Sequence, residues 1–229
     1  MKLYDSAMAP NPRRVRIFLA EKGIEVPVEQ VDIAKGENRK PPFLAKNPMG
    51  TLPVLELDDG THIAESIAIC RYFEALQPDP PLFGVDAQDI ATVEMWNRRM
   101  EFEVFNTITS CFRNTHDFFK GRIPQVPEYG EVCRGAAEKR LAWLDEVLAD
   151  RDFIAGARFT VADITALCGI DFGRVTAIGI QPDQKNLARW HQAVSTRPRA
   201  KAGRKPEGKT SGSGRSLNEN AKRPGSFAE

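Results

Sequence analysis

The sequence predicts a small α/β domain, βαβ followed by ββα around a mixed four-stranded sheet, joined to an all-α domain. Three observations predict it. Strand, helix and strand patterns succeed one another within the first thirty-odd residues, the spacing of a βαβ unit with parallel strands. "PVLELDDGTHIA" (53–64) then holds two strand-like runs about Asp59–Gly60, a dipeptide suited to a tight hairpin. Beyond "QPDPPLFGVD" (77–86), dense in proline and glycine, nearly every segment has helical periodicity.

The elements follow in order. "KLYD" is a short strand, and "PRRVRIFLAEKGI" sets Val15, Ile17, Phe18, Leu19 and Ile24 at helical spacing with Gly23 as the stop. "VEQVDI" alternates and forms the second strand; "PPFLAKN" is a short helical piece. After the hairpin, "IAICRYFEAL" is helical by the spacing of Ile67, Cys70, Phe73 and Leu76. The division is therefore a first domain over 1–77, a linker over 78–86 and a helical domain over 87–198. Helices are expected over 87–120, 129–149, 161–178 and 185–196. "RFTVADI" marks one helix start: Thr160 is the N-cap, Asp163 closes a capping box, and Phe159 is placed to staple onto Ile164.

Composition narrows the function class. With 229 residues, 41% hydrophobic and 28% charged, the chain is that of an ordinary soluble globular protein. The net charge of +1 makes no overall case for nucleic acid or a membrane surface. No window reaches 18 apolar residues, and "MKLYDSAMAPNP" meets Pro and Asn before a secretory core can form. A reduced, cytoplasmic setting is expected, with Cys70, Cys111, Cys133 and Cys168 as free thiols. These cysteines and the three histidines are too dispersed to suggest a metal site. From Arg197 onward there are nine Lys/Arg against three acids, which leaves the first 196 residues at −5. Residues 199–229, rich in Gly, Ser, Pro and Lys, are expected to be a disordered basic tail. A solvated extension is preferred there to an RNA-contacting arm.

Candidate chemistry centres on "NPMGTLPVLELDDGTHIAES" (47–66). Pro53 lacks an amide proton and so suits the first residue of a strand. Ser66 opens the next helix as an N-cap or, with the first free amides, as an anion site. Glu65 beside it favours the helix dipole.

"KLYD…PRRVRIFLAEKGI", "NPMGTLPVLELDDGTHIAESIAICRYFE" and "FIAGARFTVADI" together resemble the cytosolic glutathione S-transferases over residues 1 to 198. The resemblance implies a thioredoxin-like first domain that binds glutathione. It implies a cis Leu52–Pro53 bond, with the Leu52 N–H and C=O free to pair with the cysteinyl residue as a strand would. It also implies Glu65 on the ligand's ammonium group, and the Ser66 hydroxyl and helix amides on the γ-glutamyl carboxylate. Arg39 and Lys40 are placed for the glycyl carboxylate at the other end.

The thiol-activating group departs from the common pattern. The usual tyrosine would fall at about Asp5 and the usual serine at about Ala9, and residues 1–69 contain no cysteine. "APNP" instead resembles bacterial members related to the Nu-type and yeast prion-like proteins, an asparagine-type subgroup in which the Asn faces the sulfur; Asn11 fits that place. Ser6 is a second donor, and the N-terminus of the helix starting near Pro12 is a third source of stabilisation. Asn11 between two prolines is equally a turn residue. Tyr4 is expected to pack. The second-substrate pocket is expected to be walled by Met8 and Ala9 and, from the helical domain, by Arg99, Phe102, Phe105, Asn106, Phe112 and Arg113. Arg99 or Arg113 near the thiol favours an anionic second substrate.

The expected function is transfer of glutathione, as a thiolate adding or substituting at an electrophilic centre of a small hydrophobic substrate, as in detoxification. Glutathione is the co-substrate, no other cofactor is expected, and the resemblance implies a homodimer. Two alternatives stay open: a glutathione-dependent disulfide or peroxide reductase, and a non-catalytic glutathione-fold binding module.

Overall fold

The sheet has the order β2-β1-β3-β4 in the computed structural model, which describes residues 1–203. β1 (Lys2–Asp5) runs parallel to β2 (Val28–Gln30), with Leu3 opposite Val28. It is antiparallel to β3 (Val54–Glu56), which forms a hairpin with β4 (His62–Ala64). Because side chains alternate along a strand, the sheet has two different faces. Leu3 and Leu55 join the main core, while Tyr4 and Val54 pack with Val31 and Phe43 on the other side. The hairpin closes as Asp59–Gly60 implies: Leu57 N–H donates to the Thr61 carbonyl at 2.8 Å, and Thr61 N–H donates to Asp59 Oδ1 at 2.8 Å.

α1 (Pro10–Lys22) and α3 (Ser66–Leu76) cover the main-core face through Val15, Ile17, Phe18, Ile69 and Phe73. α2 (Pro41–Leu44) covers the other face through Phe43, whose ring meets Tyr4 edge-on at 6.1 Å. Tyr4 packs as expected, and its hydroxyl donates to Glu56 Oε2 at 2.7 Å. This bond and Lys46 hold the Glu56 carboxyl well below its usual range, at about 2.

The helical domain comprises α4 (Ala87–Arg99), α5 (Asn106–Thr115), α6 (Pro127–Val147), α7 (Val161–Phe172) and α8 (Lys185–Ser195). Two expected helices differ. The one expected over 87–120 ends at Thr115, where His116 turns extended, and it contains a π-helical turn at Met100–Phe105. Such insertions re-aim the side chains of a helix and recur at functional sites. The one expected over 161–178 ends at Phe172 and continues as a 3₁₀ turn to Thr176.

α7 is the central helix, buried from Val161 to Ile170. Gly169 lets the π turn come close: a Cβ there would lie 3.1 Å from the Phe105 Cα. The capping box forms as the sequence predicts. Asp163 does more than cap, since Ile154 N–H and Trp190 Nε1–H each donate to Oδ1 at 2.9 Å and Thr160 N–H donates to Oδ2 at 2.9 Å. Burial pushes its carboxyl up to about 6 despite these donors.

The expected disorder from residue 199 does not hold for its first residues. Pro198–Gly203 forms a 3₁₀ segment with Ala200 buried, and Arg199 donates to the Glu21 carbonyl at 2.6 Å. The buried carboxylate of Glu21, bound by Arg197 at 2.9 Å, anchors the segment to α1. A basic composition looked like a solvated end because this acceptor is 176 residues away. Residues 204–229, the rest of the expected tail, lie outside the described residues.

Candidate functional site

Loops of the sheet domain and α4–α5 enclose a cleft of about 2090 Å³. That is roughly twice the upper end of ordinary ligand pockets, enough for two ligands side by side. At one end lies the start of α3. Its first intrahelical bond runs from Ile69 N–H to the Glu65 carbonyl at 3.0 Å. The amides of Ser66, Ile67 and Ala68 therefore have no partner within the helix. Glu65, Ile67 and Ala68 line the cleft. Glu65 is held at φ 70°, ψ 121°, a conformation side chains other than glycine's rarely adopt. Ser66 is the first helical residue and not the N-cap: Glu65 takes the cap position, and its side chain makes no capping bond. Ser66 is 4% exposed and is not itself among the lining residues.

Leu52 lines the neighbouring wall, and Leu52–Pro53 is cis. Among the described residues the Leu52 N–H and C=O take no part in strand pairing or other backbone hydrogen bonds. Arg39 lines the same end, with Nη1 donating to the Met49 carbonyl at 3.1 Å. Lys40 does not line the cleft; it sits at the cap position of α2, exposed.

The turn after β1 forms the next stretch of wall, with Ser6, Met8, Ala9 and Asn11 all in it. α1 begins at Pro10, not near Pro12. Two of its first three residues are prolines without an N–H. The Arg13 amide already reaches the Ala9 carbonyl at 3.4 Å. The helix thus offers the cleft the Asn11 amide and its dipole rather than a row of amides. Asp5, where a tyrosine would otherwise fall, is 1% exposed and accepts from Arg16 and from Gln30 Nε2.

Asn11 heads a chain of charges that the sequence did not reveal. Arg14 donates Nη2–H to Asn11 Oδ1 and Nη1–H to Glu101 Oε1 at 3.0 Å. It is 4% exposed and stacks over Phe105 at 4.3 Å. Glu101, on the π turn, also pairs with Arg98 at 2.6 Å, and Arg98 and Arg71 both pair with Glu94. With its oxygen taken by a cation, the Asn11 amide keeps Nδ2 as the donor end for a ligand. The Glu94–Arg98 and Arg98–Glu101 pairs are legible as i,i+4 and i,i+3 spacings. The Arg14–Glu101 pair, 87 residues apart, is not.

Phe102, Phe105, Asn106, Phe112 and Arg113 line the helical wall as expected. Arg99 does not: it stacks on Trp96 at 4.8 Å outside the cleft, and Arg98 lines the cleft in its place. Neighbouring residues of a helix point about 100° apart, and that turn carries the Arg99 guanidinium onto the Trp96 ring. Phe118, Phe119, His116 and Arg122 complete this end and were missed, because the helix expected to run to 120 stops at Thr115 and an irregular segment follows. Arg122 donates to the carbonyls of Ile33 at 3.3 Å and Ala34 at 3.2 Å, tying the two domains across the cleft. The four cysteines are all buried, and burial pushes the Cys70 and Cys168 thiols up, the latter to about 11. Neither has the depressed pKa of a nucleophile.

The family model for the glutathione S-transferase N-terminal domain matches residues 9–76, and that for the C-terminal domain matches 104–198. "Glutathione S-transferase 2" of Saccharomyces cerevisiae is 38% identical over 208 residues, 88% of each chain. The crystal structure of Gtt2 from Saccharomyces cerevisiae superposes with a TM-score of 0.85 at 36% identity, covering 89% of this chain and all of that one. An elongation factor 1-gamma of Oryza sativa subsp. japonica is 30% identical over 205 residues, 88% of this chain and 48% of its own.

Proposed function

The chain belongs to the glutathione S-transferase family, and from that premise we propose that it binds glutathione in this cleft and transfers it, as thiolate, to an electrophilic centre of a small second substrate. One observation carries the reading: Ile67 and Ala68, whose amides have no partner within α3, Glu65, Leu52 with its unpaired backbone, and Arg39 line the same cleft as Asn11. A zwitterionic γ-glutamyl group needs an anion site and a carboxylate side by side, and the entry to α3 supplies both. Leu52 then pairs with the cysteinyl backbone and Arg39 takes the glycyl carboxylate. The thiol is thereby delivered toward Ser6 and Asn11.

Lowering a thiol pKa from about 8.5 to about 6.5 requires about 2.7 kcal/mol of preference for the thiolate. The Asn11 Nδ2 donor, oriented by Arg14, supplies part of this in the reading proposed, and the α1 dipole another part. Glutathione serves as co-substrate and no other cofactor is invoked. A homodimer in a reduced, cytoplasmic setting completes the proposal. Among the described residues no helix is long and apolar enough to cross a membrane.

Turnover of aryl halides with glutathione tests the reaction type. Activity with an organic disulfide and none with aryl halides would replace transfer by disulfide reduction. A non-catalytic module is a second reading, favoured by the two prolines that thin the α1 amides and by the similarity to an elongation factor 1-gamma. Asn11→Ala discriminates further. It is expected to raise the pKa of the bound thiol by about one while changing glutathione affinity less than threefold, since it removes one hydrogen bond to the charged form. Thiolate absorbance of the complex against pH reads this, and an unchanged pKa would clear Asn11 of the role.

A further inference from the structure

The charges of the cleft do not balance, and the imbalance has a location. Seven cationic side chains line it against four carboxylates. Asp32 is matched by Lys35, and Glu94 and Glu101 are matched by Arg71, Arg98 and Arg14. The groups left are Glu65 and Arg39 at the glutathione end, and Arg113 and Arg122 at the far end. Glutathione accounts for the first two. Arg122 spends hydrogen bonds on the carbonyls of Ile33 and Ala34. Among the described residues Arg113 has no carboxylate partner; its guanidinium lies over the Phe119 ring at 5.1 Å, and its fixed tie is the backbone carbonyl held by Gln125 at 2.9 Å.

The surroundings of Arg113 are aromatic. Phe112 sits between Phe119 at 5.2 Å and Phe172 at 5.0 Å, with Phe118 stacked beyond at 6.3 Å. Arg122 lies over Phe118 at 4.4 Å. Such a wall accepts a flat apolar ring, and a guanidinium already stacked on one ring keeps its N–H edge for an oxyanion.

We infer that the second substrate is an aromatic electrophile bearing an anionic group, and that Arg113 determines this specificity by binding that group. The inference rests on the transferase reading and names its substrate class. For a chloronitrobenzoate, the glutathione thiolate forms a C–S bond at the ring carbon carrying chlorine, and chloride leaves with the bonding pair. The carboxylate takes no part in that step; it anchors the ring against Arg113.

The test is a calorimetric titration of three ligands into the full chain: glutathione, its conjugate with a chloronitrobenzoate, and its conjugate with the matching neutral chloronitrobenzamide. The wild type is expected to bind the carboxylate conjugate about tenfold more tightly than the amide, a difference of about 1.4 kcal/mol. Arg113→Gln is expected to abolish that preference, Arg113→Lys to keep most of it, and neither to change glutathione affinity. Equal affinity of the two conjugates for the wild type, or a preference that survives in Arg113→Gln, overturns the inference while glutathione binding leaves the transferase reading standing. No binding of glutathione itself would remove that reading and the inference with it.

Discussion

Replacing Asp163 by Ala is expected to lower the unfolding free energy by about 4 kcal/mol, a large share of the 5–15 kcal/mol typical of a domain. The carboxylate is wholly buried and accepts from Ile154 N–H, Thr160 N–H and Trp190 Nε1–H. Alanine would leave three buried donors without partners, each costing about 1–3 kcal/mol, and would remove the cap of the central helix. Urea unfolding measures the loss as a lower midpoint at unchanged slope. Asp163→Asn keeps one oxygen acceptor and should lose roughly half as much. The wild type should also show a pH signature. With the folded carboxyl at about 6 and the unfolded one near 3.9, the folded state binds more protons between those values. Stability from this group is therefore complete below about pH 4 and declines as pH rises to about 6, a slope absent in Asp163→Ala. Residual folded Asp163→Ala protein should bind glutathione normally. Its failure to do so would show that Asp163 serves the site and not only the fold.

Glu65→Gln is expected to weaken glutathione binding 10- to 100-fold, the size of one charge-assisted hydrogen bond of about 1.5–3 kcal/mol. The change keeps the side-chain shape and the backbone at φ 70°, and removes only the charge proposed to meet the ligand's ammonium group. Affinity for a glutathione analogue lacking that amine should be nearly equal in the two proteins. Equal loss for both ligands would mean that the substitution disturbs the entry to α3 and does not delete a contact.

Local chemistry made most of the fold legible. Asp59–Gly60 announces its hairpin, Gly23 its helix end and Thr160–Asp163 its cap, because each signal acts within a few residues. Part of one cleft wall was legible for the same reason: "TLPVLELDDGTHIAES" carries Leu52 and Glu65, both of which line the cleft, in one short stretch. What the sequence concealed depends on distant partners or on helix phase. Arg14 meets Glu101 across 87 residues. The π turn at Met100–Phe105 lies where periodicity implied a uniform helix, and Arg99, just before it, is drawn onto Trp96 while Arg98 lines the cleft. Arg197, counted with the basic tail, is bound to a buried glutamate of α1.

The central claim is that this cleft binds glutathione and ionises its thiol. The measurement that tests it most directly is a glutathione titration of the full chain, followed by the thiolate absorbance of the complex against pH. Saturable binding, with a thiol pKa about two below that of the free thiol, is the result expected from Glu65, the α3 amides and Asn11 acting together. Absence of binding would contradict the site itself, and binding with an unshifted pKa would contradict the thiol activation proposed for it.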